Sequence, residues 1–184
     1  DCLQPEILSL LAELNEKTTV WVELGLHTIH DDTRVFTRSG FTYETFQKSL
    51  FALHALSIKV IVHLILGLPH ETREMMSASV QAIANLPVWG IKLQLLHVLS
   101  GTDLAAYYEK THFPVFSMNE YCEMIIDCLE LLPPEMVIHR ITGDGPKDLL
   151  IAPMWSTGKR TVLNQIHRRL KERNTYQGRL ATKR

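Results

Sequence analysis

One local pattern recurs along the chain: an apolar run that reads as a strand stops abruptly on polar residues and glycine, and a helix opens at once. Its clearest instance is His63-Leu64-Ile65-Leu66-Gly67-Leu68-Pro69-His70-Glu71-Thr72. The same grammar returns at Val22-Glu23-Leu24-Gly25-Leu26-His27-Thr28, at Leu93-Gln94-Leu95-Leu96-His97-Val98-Leu99-Ser100-Gly101-Thr102, and at Val137-Ile138-His139-Arg140-Ile141-Thr142-Gly143-Asp144-Gly145. Strands that alternate with helices restrict the chain to an α/β fold with a parallel sheet, because parallel neighbours need a long crossover and a helix is what covers the sheet between them. In such folds a ligand sits outside the carboxyl ends of the strands, where loop amides and helix N-termini are free to meet it.

The periodicity predicts helices over 5–15, 31–37, 71–86, 102–110 and 158–173, and one capped by Thr42 with Phe46, Leu50, Leu53 and Leu56 on one face. In the 71–86 helix it turns Met75, Val80, Ile83 and Ala84 inward. A further helix opens at Ser117, with Glu120 at capping-box spacing, and stops at Pro133-Pro134. Strands are expected over 19–26, 58–66, 91–98 and 136–141. Four strands do not close a barrel, which takes eight. The architecture therefore reads as the C-terminal part of a (β/α) barrel whose first strands are absent, leaving the first strand here with an unpaired edge. The chain opens at Asp1 without methionine, so further sequence is expected upstream.

Composition sets few limits on function. The chain has 184 residues, 46% hydrophobic and 21% charged, enough for one domain with a core of its own. A formal charge of -1 gives no overall basic field that would point to nucleic acid or a membrane surface. Basic residues gather late, so residues 1–157 read as barrel core and 158–184 as a C-terminal helix and basic tail, either solvated or reaching for phosphate. No apolar run reaches the roughly 18 residues of a membrane span, and no signal peptide opens the chain. The three cysteines make no paired framework, so a cytoplasmic setting is expected. Cys122 and Cys128 face different sides of one helix and read as core thiols. The sequence contains no Gly-x-Ser-x-Gly elbow, no His-Glu-x-x-His and no strand-end lysine for a Schiff base, which leaves an ordinary hydrolase or aldolase of barrel type a poor alternative.

Taken in order, Glu23-Leu24-Gly25-Leu26-His27-Thr28, then Ile65 to Thr72, then Leu99-Ser100-Gly101-Thr102, resemble the fourth, fifth and sixth strand ends of the radical S-adenosylmethionine (SAM) enzymes. The stretch Pro133-Pro134-Glu135-Met136-Val137-Ile138-His139-Arg140-Ile141-Thr142-Gly143-Asp144-Gly145-Pro146, with Trp155 beyond it, is similar to the tail of that superfamily's YtqA/YhcC-like branch, related to the radical domain of the Elongator catalytic subunit. The resemblance implies a partial barrel, SAM as cofactor, and a 4Fe-4S cluster held by a C-x3-C-x2-C loop. This chain has no such loop, so the ligands are expected upstream and the piece alone is expected to be inactive. It further implies a 5′-deoxyadenosyl radical, an electron donor such as flavodoxin or ferredoxin, and a tRNA substrate modified at its wobble uridine. A tetrapyrrole or other small metabolite is the alternative substrate; a cluster-less, barrel-derived binding module is the alternative of another class.

The resemblance also implies site residues. Glu23 stands charged in an apolar strand, His27 and His63 fall where the family meets SAM ribose, and Arg38 falls near the SAM carboxylate. Gly67, Leu68 and Pro69 would offer backbone to adenine, while Gly101 and Thr102 carry the same role or a plain turn and helix cap. Read from the residues themselves, the ionisable density after the last strand points to Arg140, Asp144 and Lys147 as substrate-facing, the two cations being suited to phosphate or carboxylate. Trp155 either stacks on a base or closes the barrel floor.

Overall fold

A computed structural model describes residues 3–143 and 145–181. In chain order the main elements are α1 (Pro5–Lys17), β1 (Trp21–His27), α2 (Asp31–Phe36), α3 (Tyr43–Ala55), β2 (Lys59–Leu66) and α4 (Arg73–Ala84). There follow β3 (Gly90–Leu95), β4 (Val98–Leu99), α5 (Asp103–Thr111), α6 (Met118–Leu131), β5 (Val137–Arg140), β6 (Leu150–Ala152) and α7 (Lys159–Glu172). Four strands form a parallel sheet in the order β1-β2-β3-β5, with β1 at one edge.

The helix starts are chemically marked. Thr42, Thr72 and Thr102 each accept the backbone N–H three residues on, from Thr45, Met75 and Ala105, and Ser117 with Glu120 closes a full capping box. Each cap satisfies an amide that the helix itself leaves unpaired, worth about 1 kcal/mol. Alternate residues of the central strands then bury against the helices. Val60, Val62, Leu64, Leu66, Ile91 and Leu93 share one core with Leu50 and Leu53 of α3, Val80 and Ile83 of α4, and Ile125 of α6. Each such aliphatic side chain contributes roughly 1.5–3 kcal/mol.

Helix α7 joins that core through the buried Val162 and Ile166. Its arginines face α6: Arg169 pairs with Glu123, and Arg173 with Glu123 and, at 2.7 Å, with Asp127. Two of the late basic residues are thus engaged within the fold rather than held out for phosphate. Cys122 and Cys128 are free and buried in α6.

Two expectations need correction. The third strand ends at Leu95, not at residue 98: the Leu96 N–H gives the last ladder bond to β2, at the Leu66 carbonyl, 2.9 Å away. The chain then turns so that Val98 and Leu99 pair antiparallel with β6, in a second, two-stranded sheet. The largely apolar run from Leu93 to Leu99, interrupted by Gln94 and His97, carries no glycine or proline to mark such a kink. In α4 it is Met76, not Met75, that is buried, and its sulfur accepts the Gly67 N–H at 3.1 Å. Among the described residues no helix is long and apolar enough to cross a membrane.

Candidate active site

At the carboxyl end of the sheet the backbone departs repeatedly from regular geometry, as it also does at Ser57, His112, Asn174 and Gly178. His27, Arg38, Gly67, His70 and Gly101 all have positive φ, a conformation that costs a non-glycine residue about 1 kcal/mol or more and clusters at functional sites. The buried Arg34 guanidinium anchors this end by donating to the carbonyls of Leu26 and Thr28, each at 3.3 Å, and to that of Phe41. Thr28 is also buried, and its hydroxyl donates to Glu71 at 2.5 Å, tying the loop after β1 to the loop after β2. Burial pushes the Glu71 carboxyl up from its ordinary value.

Between these loops and α5 lies a cleft of about 580 Å³, a size suited to a nucleoside-sized ligand. His27, Arg38, Leu68, Pro69 and Thr102 line it, five of the residues that the sequence brings forward for SAM. Ile65 and Leu96 supply apolar surface. Phe36 and Tyr107, which sequence reasoning passed over, wall it with ring centroids 5.1 Å apart, and the Tyr107 hydroxyl lies 3.0 Å from His70 Nε2. At the mouth Arg38 pairs with Asp103 at 2.7 Å. Burial, aided by the charges of His63 and Arg34, lowers the basicity of His27, so its ring is neutral near pH 7, with one donor and one acceptor.

The other expected contacts lie elsewhere. Gly67 backs onto Phe116 in a neighbouring cavity of about 250 Å³. Gly101 makes the turn into α5, while Thr102 caps that helix and donates to the Leu99 carbonyl at 2.7 Å. Glu23 and His63 sit on the sheet face turned away from α3, α4 and α6, in a cluster with Lys92 and Gln94. His63 Nε2 is 2.9 Å from one Glu23 oxygen, Lys92 Nζ is 2.5 Å from the other, and Gln94 Nε2 lies 3.0 Å from His63 Nδ1. The Lys92 bond holds the Glu23 carboxyl below its ordinary value; burial and the Lys92 charge depress His63. Lys92 and Gln94 were legible as the polar members of Ile91-Lys92-Leu93-Gln94-Leu95, an alternation that puts both on one face.

Of the three residues that the sequence puts forward as substrate-facing, two are described. Arg140 closes β5 at the register level of Lys92. Lys147 lines a separate cleft of about 480 Å³ with His97, Gly143, Gly145 and, at the start of α7, Arg160. Asp144 lies outside the described residues. Trp155 is a packing residue: its Nε1 donates to the Phe116 carbonyl at 2.8 Å and its ring lies 5.7 Å from that of Tyr121.

The residues present fit SAM and do not fit an iron-sulfur cluster. The 580 Å³ cleft joins apolar walls to a neutral imidazole and an arginine at its rim. By contrast, no group of three or more His, Cys, Asp or Glu among the described residues could hold a metal ion. Burial also raises the thiols of Cys122 and Cys128, which disfavours the thiolate that iron needs.

Comparison with known proteins gives matches across nearly the whole chain. Residues 1–83 match the model of the radical SAM superfamily, and residues 88–172 that of the radical SAM C-terminal domain. The uncharacterized protein YtqA of Bacillus subtilis is 44% identical over 97% of this chain and 55% of its own length. A tRNA uridine(34) acetyltransferase of Methanocaldococcus jannaschii is 26% identical over 71% of this chain and 25% of its own. The chain thus spans about half the length of its nearer curated relatives. The structure of the archaeal Methanocaldococcus infernus Elp3 superposes with a TM-score of 0.80 at 20% identity, covering 96% of this chain and 40% of the other, which establishes the shared fold.

Proposed function

The chain belongs to the radical SAM superfamily, and from that premise we propose that its 580 Å³ cleft is the SAM site of an iron-sulfur enzyme that modifies tRNA at the wobble uridine. The observation that carries the SAM assignment is the gathering of His27, Arg38, Leu68, Pro69 and Thr102, drawn from the end of β1 and three separate loops, around one cavity. SAM held by His27, Arg38, Leu68, Pro69 and Thr102 would supply a 5′-deoxyadenosyl radical for hydrogen abstraction once an electron reached it from a cluster that the described residues do not hold.

The chain's own residues bind, orient and exclude water. Ile65, Leu68 and Leu96 offer apolar surface to a purine, beside the backbone of Leu68 and Pro69. The neutral His27 ring has a donor and an acceptor for ribose hydroxyls, and Arg38 offers a guanidinium to a carboxylate. Phe36 and Tyr107 keep water from one side of the cavity. Arg140, Asp144 and Lys147 stand as substrate-facing residues, and a flavodoxin or ferredoxin as electron donor in the cytoplasm. The tRNA assignment is supported by the named activity of the acetyltransferase relative.

Full-length protein, reconstituted anaerobically with its cluster, is expected to form 5′-deoxyadenosine faster with tRNA lacking its wobble modification than with mature tRNA. Cleavage of SAM that responds to a tetrapyrrole or another metabolite, and not to either tRNA, would overturn the tRNA assignment.

A further inference from the structure

A single row of side chains crosses the sheet on the face opposite α3, α4 and α6. Gly25 is the register partner of His63, His63 of Lys92, and Lys92 of Arg140. His63 and Lys92 are level on regularly paired parallel strands and point to the same face, about 4.8 Å apart; Arg140 comes level with Lys92 across a register shift that skips His139, and its charge is felt at His63. The charge is unbalanced. Among the described residues Glu23 is the one carboxylate hydrogen-bonded or ion-paired to members of this row, serving both Lys92 and His63.

The depth of burial is the reverse of a surface ion pair. The Lys92 side chain is 14% exposed, whereas its counter-ion Glu23 is 47% exposed. A cation held deeper than its carboxylate keeps its charge where solvent helps least, and a second anion at that depth would be favoured. His63 does not add to the positive charge. Its Nδ1 faces the Gln94 amide nitrogen, which leaves the proton on Nε2 for Glu23, and the charges of Lys92 and Arg140 both lower its basicity. Gly25 leaves the β1 end of the row without a side chain, and a Cβ there would stand 3.3 Å from His27 Nε2, a wall of the SAM cleft. The His27 ring, which lines that cleft, thus stands against the β1 end of the row.

We propose that Lys92 and Arg140 form an oxyanion site that seats a carboxylate or phosphate group of the substrate beside SAM, with Glu23 as the resident counter-ion that yields Lys92 when the group arrives. The guanidinium gives two parallel donors and the ammonium a third, a match to a compact oxyanion. The site's role in the reaction rests on the radical SAM reading; its affinity for an oxyanion does not.

The test is a titration of the full-length protein with inorganic phosphate and, separately, acetate, at constant ionic strength, following the His63 ring by NMR. Anion binding should raise the His63 pKa, because it offsets the Lys92 and Arg140 charges. Lys92→Met and Arg140→Met should each weaken the anion about tenfold, whereas Glu23→Gln should strengthen it about threefold by removing the competitor, an effect that a purely structural ion pair would not give. Tighter phosphate than acetate points to a phosphorylated substrate, and the reverse to a carboxylate. Should Lys92→Met fail to fold, Lys92→Arg, which keeps the charge, and Glu23→Gln carry the test. A His63 ring that responds to neither anion, or responds equally in the Arg140→Met and Glu23→Gln proteins, overturns the proposal. SAM binding followed at His27 in the same samples separates that outcome from failure of the SAM assignment.

Discussion

Arg38 and Asp103 meet across the mouth of the cleft, guanidinium to carboxylate at 2.7 Å, from segments 65 residues apart. Both side chains are about four-fifths exposed, at 80% and 82%, so the pair adds less than about 1 kcal/mol to stability. Its significance lies in position, because a ligand carboxylate at the rim can take the place of Asp103. Arg38→Ala is expected to weaken SAM about tenfold, while Asp103→Asn leaves affinity equal or higher, since it frees the guanidinium. Calorimetric titration of both variants checks this; equal weakening in the two would remove Arg38 from the SAM contacts.

Gly67 couples the fold to the cleft. Its φ is +90°, and a Cβ there would stand 3.1 Å from Phe116 Cδ2. Gly67→Ala is expected to destabilise the protein by about 1–2 kcal/mol through backbone strain, and to shift the adjoining Leu68 and Pro69. Thermal unfolding measures the first effect. Weaker SAM binding beyond the loss of folded protein measures the second.

Acidification acts on the Glu23 cluster with a definite sign. Burial and Lys92 place the folded-state pKa of His63 below its ordinary 6.5. The unfolded chain then binds the proton more readily, so the His63 contribution is complete above about pH 6.5 and fades as pH falls toward the folded value. A His63→Gln protein lacks this loss. The stability gap between wild type and variant should therefore shrink from pH 7.5 to pH 5.5. A gap that widens on acidification would show that His63 is held protonated.

Glu23 should also be asymmetric in its substitutions. Glu23→Ala leaves the largely buried Lys92 without its carboxylate and is expected to cost about 1–2 kcal/mol, whereas Glu23→Gln keeps a hydrogen-bond acceptor and costs less. Equal losses in chemical denaturation would mean that the charge of Glu23 contributes nothing there.

How much of this was legible in the sequence depended on the period of the signal. Helix α3 was marked at its start by Thr42 and α6 at both ends, by the Ser117–Glu120 box and by Pro133, and their buried faces follow the helical repeat. The break after Leu95 and the pairing of Val98 with Ala152 had no such mark, since a long-range antiparallel contact leaves no local trace in an apolar run. In the candidate site, glycines and polar strand ends pointed to the carboxyl end of the sheet, where His27, Arg38, Leu68, Pro69 and Thr102 line one cleft. Asp103, Phe36 and Tyr107 went unseen because each lies on a helix, where an exposed charge or an aromatic looks ordinary until the loops bring it to His27 and Arg38. The alternation along β3 marks the face of Lys92, but only the neighbouring strands reveal that its ammonium meets Glu23.

The central claim is that SAM occupies the cleft bounded by His27, Leu68 and Tyr107. A crystal structure of the full-length protein, prepared anaerobically with its cluster and SAM, tests it most directly. The account predicts adenine against Leu68 and Leu96 and the amino-acid carboxylate within reach of Arg38. SAM bound outside this cleft, with Arg38 still paired to Asp103, would contradict it.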